Sequence, residues 1–173
     1  MLETMRDRGK FWRPAPERAA SFSGIGFEAR CVTELGQTLV SGDLGAAVEA
    51  LAPGAQEVGL WTIAAASTYS VRLSRDRALL VTPAPLAVSS GWADGYVATP
   101  CDDAYAVMDL KGEELASIIA EATSADLATG SRSASVLFAG VPVFLYRTAE
   151  DAARLHVEAP LLAYLWEWLT GRR

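Results

Sequence analysis

The sequence predicts an α+β domain, a mostly antiparallel sheet with helices packed on one side. Three observations carry this. The chain has 173 residues, 51% hydrophobic and 21% charged, which favours one domain with a substantial core over a disordered chain. Short stretches of strand-like alternation, bounded by turn residues, outnumber helix-period stretches. Taken in order, the clearest elements run β-α-β-β-β-α, the pattern of an α+β sandwich of mostly antiparallel strands.

Residues 1–22 read as an arm, and 23–173 as the single domain. Gly26–Val32 reads as a strand, and Thr38–Val40 continues the sheet after a turn at Gly36. "SGDLGAAVEALAPG" opens with Ser41 and Asp43 as candidate N-caps and closes at Pro53–Gly54, so it reads as a short helix. "YSVRL" alternates Tyr69, Val71 and Leu73 against Ser70 and Arg72. With "ALLVT" and the polar turn "SRDR" it makes a hairpin. "PAPLAVSSGWADGY" reads as a short helix followed by a loop.

In the second half, Ala104–Leu110 is a strand. Leu115, Ile118, Ile119 and Ala122 recur at i, i+3, i+4, i+7, one apolar helix face. "ASVLFAGVPVFLYR" reads as two strands around Gly140. Leu155 and Val157 alternate with His156 and Glu158 in another strand, which makes His156 a surface or interface imidazole. Pro160 opens a last helix at its favoured first position, and Gly171 stops it.

The net charge of −6 and pI near 4.8 argue against nucleic acid and against an anionic membrane surface, both of which need a basic footprint. The first twenty residues differ. Arg6, Arg8, Lys10, Arg13 and Arg18 oppose Glu3, Asp7 and Glu17, which makes a basic, Pro-containing arm on an acidic body. It is read as a frayed tail or as a tether that docks on a partner. No stretch approaches the ~20 apolar residues of a bilayer span. No apolar signal-peptide core is seen near the N-terminus. Cys31 and Cys101 are expected as free thiols of a cytoplasmic protein.

Signals for chemistry are sparse. One histidine and two distant cysteines do not make a zinc or iron site. "SGIGF" is not a dinucleotide fingerprint, and no phosphate-loop pattern occurs. The carboxylates of residues 105–130 each have a structural reason. Glu113 and Glu114 are expected in the first turn of their helix, favourable to its dipole. Glu121 points to water, Asp126 bonds local backbone and Asp109 ends a strand. No catalytic, cofactor-binding or metal-ligating residue is therefore assigned.

The aromatics point to an interface instead. Tyr164, Trp166 and Trp168, with Leu161, Leu162, Leu165 and Leu169, wrap the last helix on nearly every side. Such a helix is either buried or set against another chain. If the chain's own sheet takes the Leu165/Trp168 row, Leu162 and Trp166 meet something else. Phe11 and Trp12 in the arm join them as expected partner-interface residues.

Four stretches together resemble the gamma-subunit family of heterotetrameric sarcosine oxidase. They are "VRLSRDRALLV" (71–81), "AVMDLKGEELASII" (106–119), "ADL" (125–127) and "FLYRTAEDAARLHVEAPLLAYLWEWL" (144–169). Leu73, Asp76, Leu79, Leu80, Asp109 and Gly112 match the family's pattern. Arg75, Ala78 and Glu113 depart from it, where the family has proline, tryptophan and proline. The resemblance covers roughly residues 65–170. It implies a fold related to the aminomethyltransferase (glycine-cleavage T-protein) fold. It also implies a non-catalytic small subunit of a flavin- and folate-linked amine oxidase that demethylates sarcosine or a similar N-methyl amine. The implied partners are larger subunits that hold FAD, FMN, NAD and tetrahydrofolate, this chain holding none. Two alternatives stay open. One is a subunit of another amine-oxidising complex, such as a secondary-amine monooxygenase or N-methylglutamate dehydrogenase. The other is a stand-alone folate-binding protein using Asp109 with Tyr105 or Trp92.

Overall fold

The structure, a computed structural model, describes residues 15–17, 19–89 and 91–172. Phe11, Trp12 and most of the expected arm lie outside the described residues. The elements begin with β1 (Ser21–Gly24), β2 (Phe27–Val32), β3 (Gly36–Gly42), α1 (Leu44–Leu51), β4 (Gln56–Val58), β5 (Tyr69–Arg72) and β6 (Arg77–Thr82). They continue with β7 (Gly91–Ala93), β8 (Tyr96–Pro100), β9 (Tyr105–Lys111), α2 (Leu115–Ala122), β10 (Ser135–Phe138), β11 (Val141–Ala149), β12 (Ala152–Glu158) and α3 (Leu162–Thr170).

The strands form two six-stranded sheets. The first runs β1-β2-β9-β12-β11-β10 and the second β4-β5-β6-β3-β8-β7. Among the described residues every pairing between these strands is antiparallel except β4 with β5. The expected α+β class holds, and each sheet carries its helices on one side. On the first sheet, Met108, Leu110, Leu145, Leu155 and Val157 pack with Leu115, Ile118 and Ile119 of α2 and with Leu165 and Leu169 of α3. On the second, Val40, Ala78, Leu80 and Ala98 pack with Ala47 and Val48 of α1. The remaining faces meet each other through Tyr69, Val71, Leu79 and Val81 on one sheet and Phe144 and Tyr146 on the other. The stacking order is therefore helix, sheet, sheet, helices.

The local signals account for the helices. The Asp43 carboxylate accepts the Ala46 N–H at 3.0 Å and caps α1, an interaction worth about 1 kcal/mol. The four apolar residues read onto one face of α2 are all buried. A single 3-10 turn, Ala159–Leu161 with Pro160 in it, leads into α3.

Two local expectations are corrected. No helix forms among the described residues of the 83–96 stretch. Coil leads instead into the β7–β8 hairpin, whose turn residues Asp94 and Gly95 have φ of 50° and 84°. Two successive positive φ values define the tight hairpin turn that Asp-Gly favours. Glu113 and Glu114 do not lie in the first turn of α2. The helix starts at Leu115, and Glu114 is its cap residue with no side-chain cap bond. Gly112, at φ 143°, packs against the Gly26–Phe27 backbone, and the Glu114 N–H donates to the Gly26 carbonyl. That contact holds 112–114 as a turn, and any Cβ at Gly112 would clash with it.

Candidate functional site

The polar centre of the molecule lies between the two sheets, and strand register builds it. In the first sheet, Arg30 stands opposite Asp109, Asp109 opposite Arg154, and Arg154 opposite Tyr146, one row across four strands. One rung along, His156 stands opposite Phe144 and Val107. In the second sheet, Tyr69 and Gln37 flank Val81 in a single row. Where the two rows face each other, six side chains form a continuous hydrogen-bonded chain.

The chain has a fixed direction. Arg154 Nε and Nη2 donate to the two Asp109 oxygens at 2.7 and 2.9 Å, and Nη1 donates to the Tyr69 hydroxyl at 3.0 Å. Tyr69 and Tyr146 hydroxyls are 2.9 Å apart, and Tyr146 lies 2.7 Å from His156 Nε2. His156 Nδ1 lies 2.6 Å from Gln37 Oε1. The Gln37 amide donates to the carbonyls of Tyr105 (2.9 Å) and Asp102 (3.2 Å), so its oxygen is left to accept. Nδ1 of His156 therefore carries the proton, and Nε2 accepts from Tyr146. Tyr146 in turn accepts from Tyr69, and Tyr69 accepts from Arg154. Every bond runs from the guanidinium toward the backbone carbonyls.

Burial sets the charges. His156 and Tyr146 are completely buried. Burial pushes the imidazole down to about 3, with the nearby Arg154 charge acting in the same direction, so His156 is neutral. Burial also drives the Tyr146 phenol well above its ordinary value. Arg154 is held above the usual arginine range. Burial opposes its charge, but the hydrogen bonds and charge of Asp109 outweigh that opposition. Among the described residues no buried side-chain nitrogen or oxygen lacks a partner. The centre is closed: one ion pair anchors a neutral relay that ends on backbone.

His156 is thus not the surface imidazole that strand alternation suggested. Both faces of its sheet are covered, one by helices and the other by the second sheet. Gln37, Tyr69, Tyr146 and Arg154 carried no recognisable local signal, since the six residues are scattered from position 37 to 156. Asp109 lies inside β9 and not at its end. At its outer side Arg30 approaches to 3.5 Å, and a surface cleft of about 350 Å³ opens beside Lys111 and Thr148. The acid and aromatics weighed for a folate pocket are engaged separately. Asp109 pairs with Arg154, Tyr105 packs on Phe144 at 5.1 Å, and Trp92 stands exposed on β7, an edge strand of the other sheet.

The remaining candidates are placed as follows. Glu121 is exposed and ion-paired with Arg172. Asp126 accepts the Ala128 N–H at 2.9 Å, a local turn bond. Cys31 and Cys101 are free thiols. Among the described residues no group of three metal-ligating side chains occurs, and no helix is long and apolar enough to cross a membrane. Trp166 meets Phe22 of β1 edge to face, with ring centroids 4.9 Å apart, and Leu162 packs on the same core. Both touch the chain's own core and keep part of their surface exposed. Trp168 packs on Phe138 at 5.5 Å, beneath the Arg172 guanidinium. The two tryptophans flank α3 and reach toward opposite edges of the sheet, while Leu165 and Leu169 face its middle.

No protein-family model and no curated protein sequence matches the chain. Twelve chains of solved structures match it. One belongs to the heterotetrameric sarcosine oxidase from Corynebacterium sp. U-96 in complex with pyrrole 2-carboxylate. It aligns with a TM-score of 0.66 and 19% identity, over 86% of this chain and 84% of that one. The two chains are thus of nearly equal length, and the likeness shows that they share a fold.

Proposed function

We propose that this chain is a non-catalytic small subunit of a cytoplasmic, multi-subunit, flavin- and folate-linked amine oxidase. The complex demethylates sarcosine or a similar N-methyl amine, and the chain helps to assemble the larger subunits, which hold the cofactors. The observation that carries this reading is the fold shared, over most of both chains, with a chain of a heterotetrameric sarcosine oxidase. The stretches at 71–81, 106–119, 125–127 and 144–169 resemble the gamma-subunit family and support it from the sequence. The polar centre fits a scaffold, because its donors and acceptors satisfy one another and its one carboxylate beside the surface cleft, Asp109, is held by the bidentate pair with Arg154.

The test is co-expression with larger flavin- and folate-domain subunits. The tagged chain is expected to retain them on affinity resin, and the complex to form peroxide from sarcosine or a related secondary amine. The isolated chain is expected to hold no flavin or folate. Larger subunits that assemble and turn over at full rate without this chain would refute the proposal. Stoichiometric folate on the purified chain would favour the stand-alone binding protein.

A further inference from the structure

The β5–β6 turn and the segment 131–134 beside it bring three arginines around one carboxylate. Arg72 donates from Nη2 to Glu57 Oε2 at 2.6 Å and from Nη1 to the Arg75 carbonyl at 2.9 Å. Arg132 Nε lies 3.9 Å from the other Glu57 oxygen, with its side chain 90% exposed. Arg75, in the turn itself, is exposed and makes no ion pair among the described residues. The turn's other charges, Asp76 and Arg77, are of opposite sign. Three guanidiniums thus share Glu57, in a chain whose 21 Asp and Glu outnumber its 15 Lys and Arg. We propose that this cluster docks a carboxylate-bearing peptide segment of another protein, whose acidic side chains complete the pairing of Arg75 and Arg132.

Three observations point to that occupant. The first is mounting. The Ser133 hydroxyl donates to the Leu73 carbonyl at 2.6 Å, and the Ala134 N–H donates to the Arg72 carbonyl at 2.7 Å. Gly59 packs so closely on the Ser131 and Arg132 carbonyls that any Cβ there would clash. The backbone that carries the arginines is thereby fixed before anything binds, which lowers the ordering cost of docking. The second is the donor set. Guanidinium forks match the plane of a carboxylate two bonds at a time, and Glu57 already seats one on Arg72. The third is charge. A nucleic acid or an anionic membrane would meet the acidic body as well as the cluster. A short acidic segment meets the cluster alone, and arginine is the charged side chain enriched at protein interfaces.

This docking point goes beyond the function proposed above and holds whichever protein supplies the segment. The test uses the isolated full chain and a fluorescein-labelled octaglutamate peptide, with octaglutamine as the neutral counterpart, read by anisotropy. Octaglutamate is expected to bind at about 20 mM salt and to lose roughly tenfold in affinity at about 150 mM, as screening weakens exposed pairs. Octaglutamine is expected not to bind. Arg75→Gln combined with Arg132→Gln changes two exposed side chains outside the core. It is expected to weaken octaglutamate binding by roughly three- to thirtyfold. Arg30→Gln, on the first sheet, is expected to leave the affinity unchanged. No binding of octaglutamate at about 20 mM salt would overturn the proposal. Equal affinity in the double variant and the wild type, or equal binding of the two peptides, would do the same. Displacement of octaglutamate by inorganic phosphate, but not by acetate at the same concentration, would overturn it by making the occupant a phosphate group. A wild type that dimerises at low salt while the double variant stays monomeric would overturn it by making the occupant a second copy.

Discussion

The Tyr146 hydroxyl donates to Nε2 of His156 across 2.7 Å, in a site where neither side chain is exposed. The bond joins neighbouring strands of the first sheet. Its two ends reach across to the second, through Tyr69 on one side and Gln37 on the other. A sheet-to-sheet contact made only of apolar groups would tolerate sliding. One threaded by directed hydrogen bonds has one register, because any slip leaves buried polar atoms unpaired.

His156 should make the chain acid-sensitive in a specific window. Its imidazole titrates near 6.5 when unfolded and near 3 when folded. Below pH 6.5 the unfolded state takes up a proton that the native state refuses. Stability present above 6.5 is therefore lost progressively as pH falls toward 3, with a limiting slope of about 1.4 kcal/mol per pH unit. Carboxylates titrate in the same range, so the measurement is a difference. Urea midpoints of the wild type and His156→Gln are compared from pH 8 to pH 4. The variant should be less stable by about 1–2 kcal/mol at pH 8, and the gap should narrow on acidification. A gap that stays constant with pH would show that His156 does not change its proton affinity on folding.

How much of this was legible in the sequence differs by element. The α2 face at 115, 118, 119 and 122 was plain because one helix face meets one sheet. The Asp43 cap, the β5–β6 hairpin and the Pro160 start were plain because each is a local rule obeyed locally. His156 was misread because alternation sorts residues into two faces without saying what covers either. Here a second sheet covers the face that a single-sheet reading leaves to water. The polar centre draws on β3, β5, β9, β11 and β12, and only the registers of both sheets bring those positions together. The β7–β8 hairpin had its Asp94–Gly95 signal, outweighed in the helix reading by the apolar residues ahead of it.

Asp109 has two arginine neighbours of unequal weight. Arg154 makes a bidentate pair with both partners mostly buried, whereas Arg30 is 3.5 Å away with a side chain 60% exposed. Arg30→Ala should change stability by less than about 1 kcal/mol, as for other surface pairs. Asp109→Ala leaves the Arg154 guanidinium buried without its counter-charge and should cost about 3–5 kcal/mol. Chemical denaturation of the two variants side by side checks this. Equal losses would place the stabilising pair at the surface instead.

Trp166 and Trp168 should both support the isolated chain. Each makes an edge-to-face contact with a phenylalanine of the first sheet, Phe22 at one edge strand and Phe138 at the other. Neither is fully buried. Each alanine variant is therefore expected to lose about 2–3 kcal/mol, below the range for a wholly buried aromatic. Thermal melting of the single chain is the measurement. If Trp166→Ala melts like the wild type, its contact with Phe22 contributes little, and a role against another chain returns to consideration.

The direction of the hydrogen-bonded chain can be tested by removing one hydroxyl at a time. Tyr146→Phe cuts the relay at its middle. The Tyr69 hydroxyl loses its acceptor and His156 Nε2 loses its donor, both far from water. With each orphaned group worth about 1–3 kcal/mol, the variant should lose about 2–5 kcal/mol. Tyr69→Phe cuts the relay nearer its charged end. Tyr146 then still donates to His156, and only its accepting lone pair goes unused. Arg154 keeps both bonds to Asp109, and its remaining N–H is 15% exposed with the side chain, within reach of solvent. That loss should be near 1 kcal/mol. The order Tyr146→Phe well below Tyr69→Phe follows from bonds running from arginine toward histidine. Were the relay reversed, with His156 donating through Nε2 to Tyr146 and Tyr146 to Tyr69, Tyr69→Phe would strand the Tyr146 O–H in the interior. The Tyr69→Phe loss would then approach that of Tyr146→Phe, and equal urea midpoints for the two variants would refute the assigned direction.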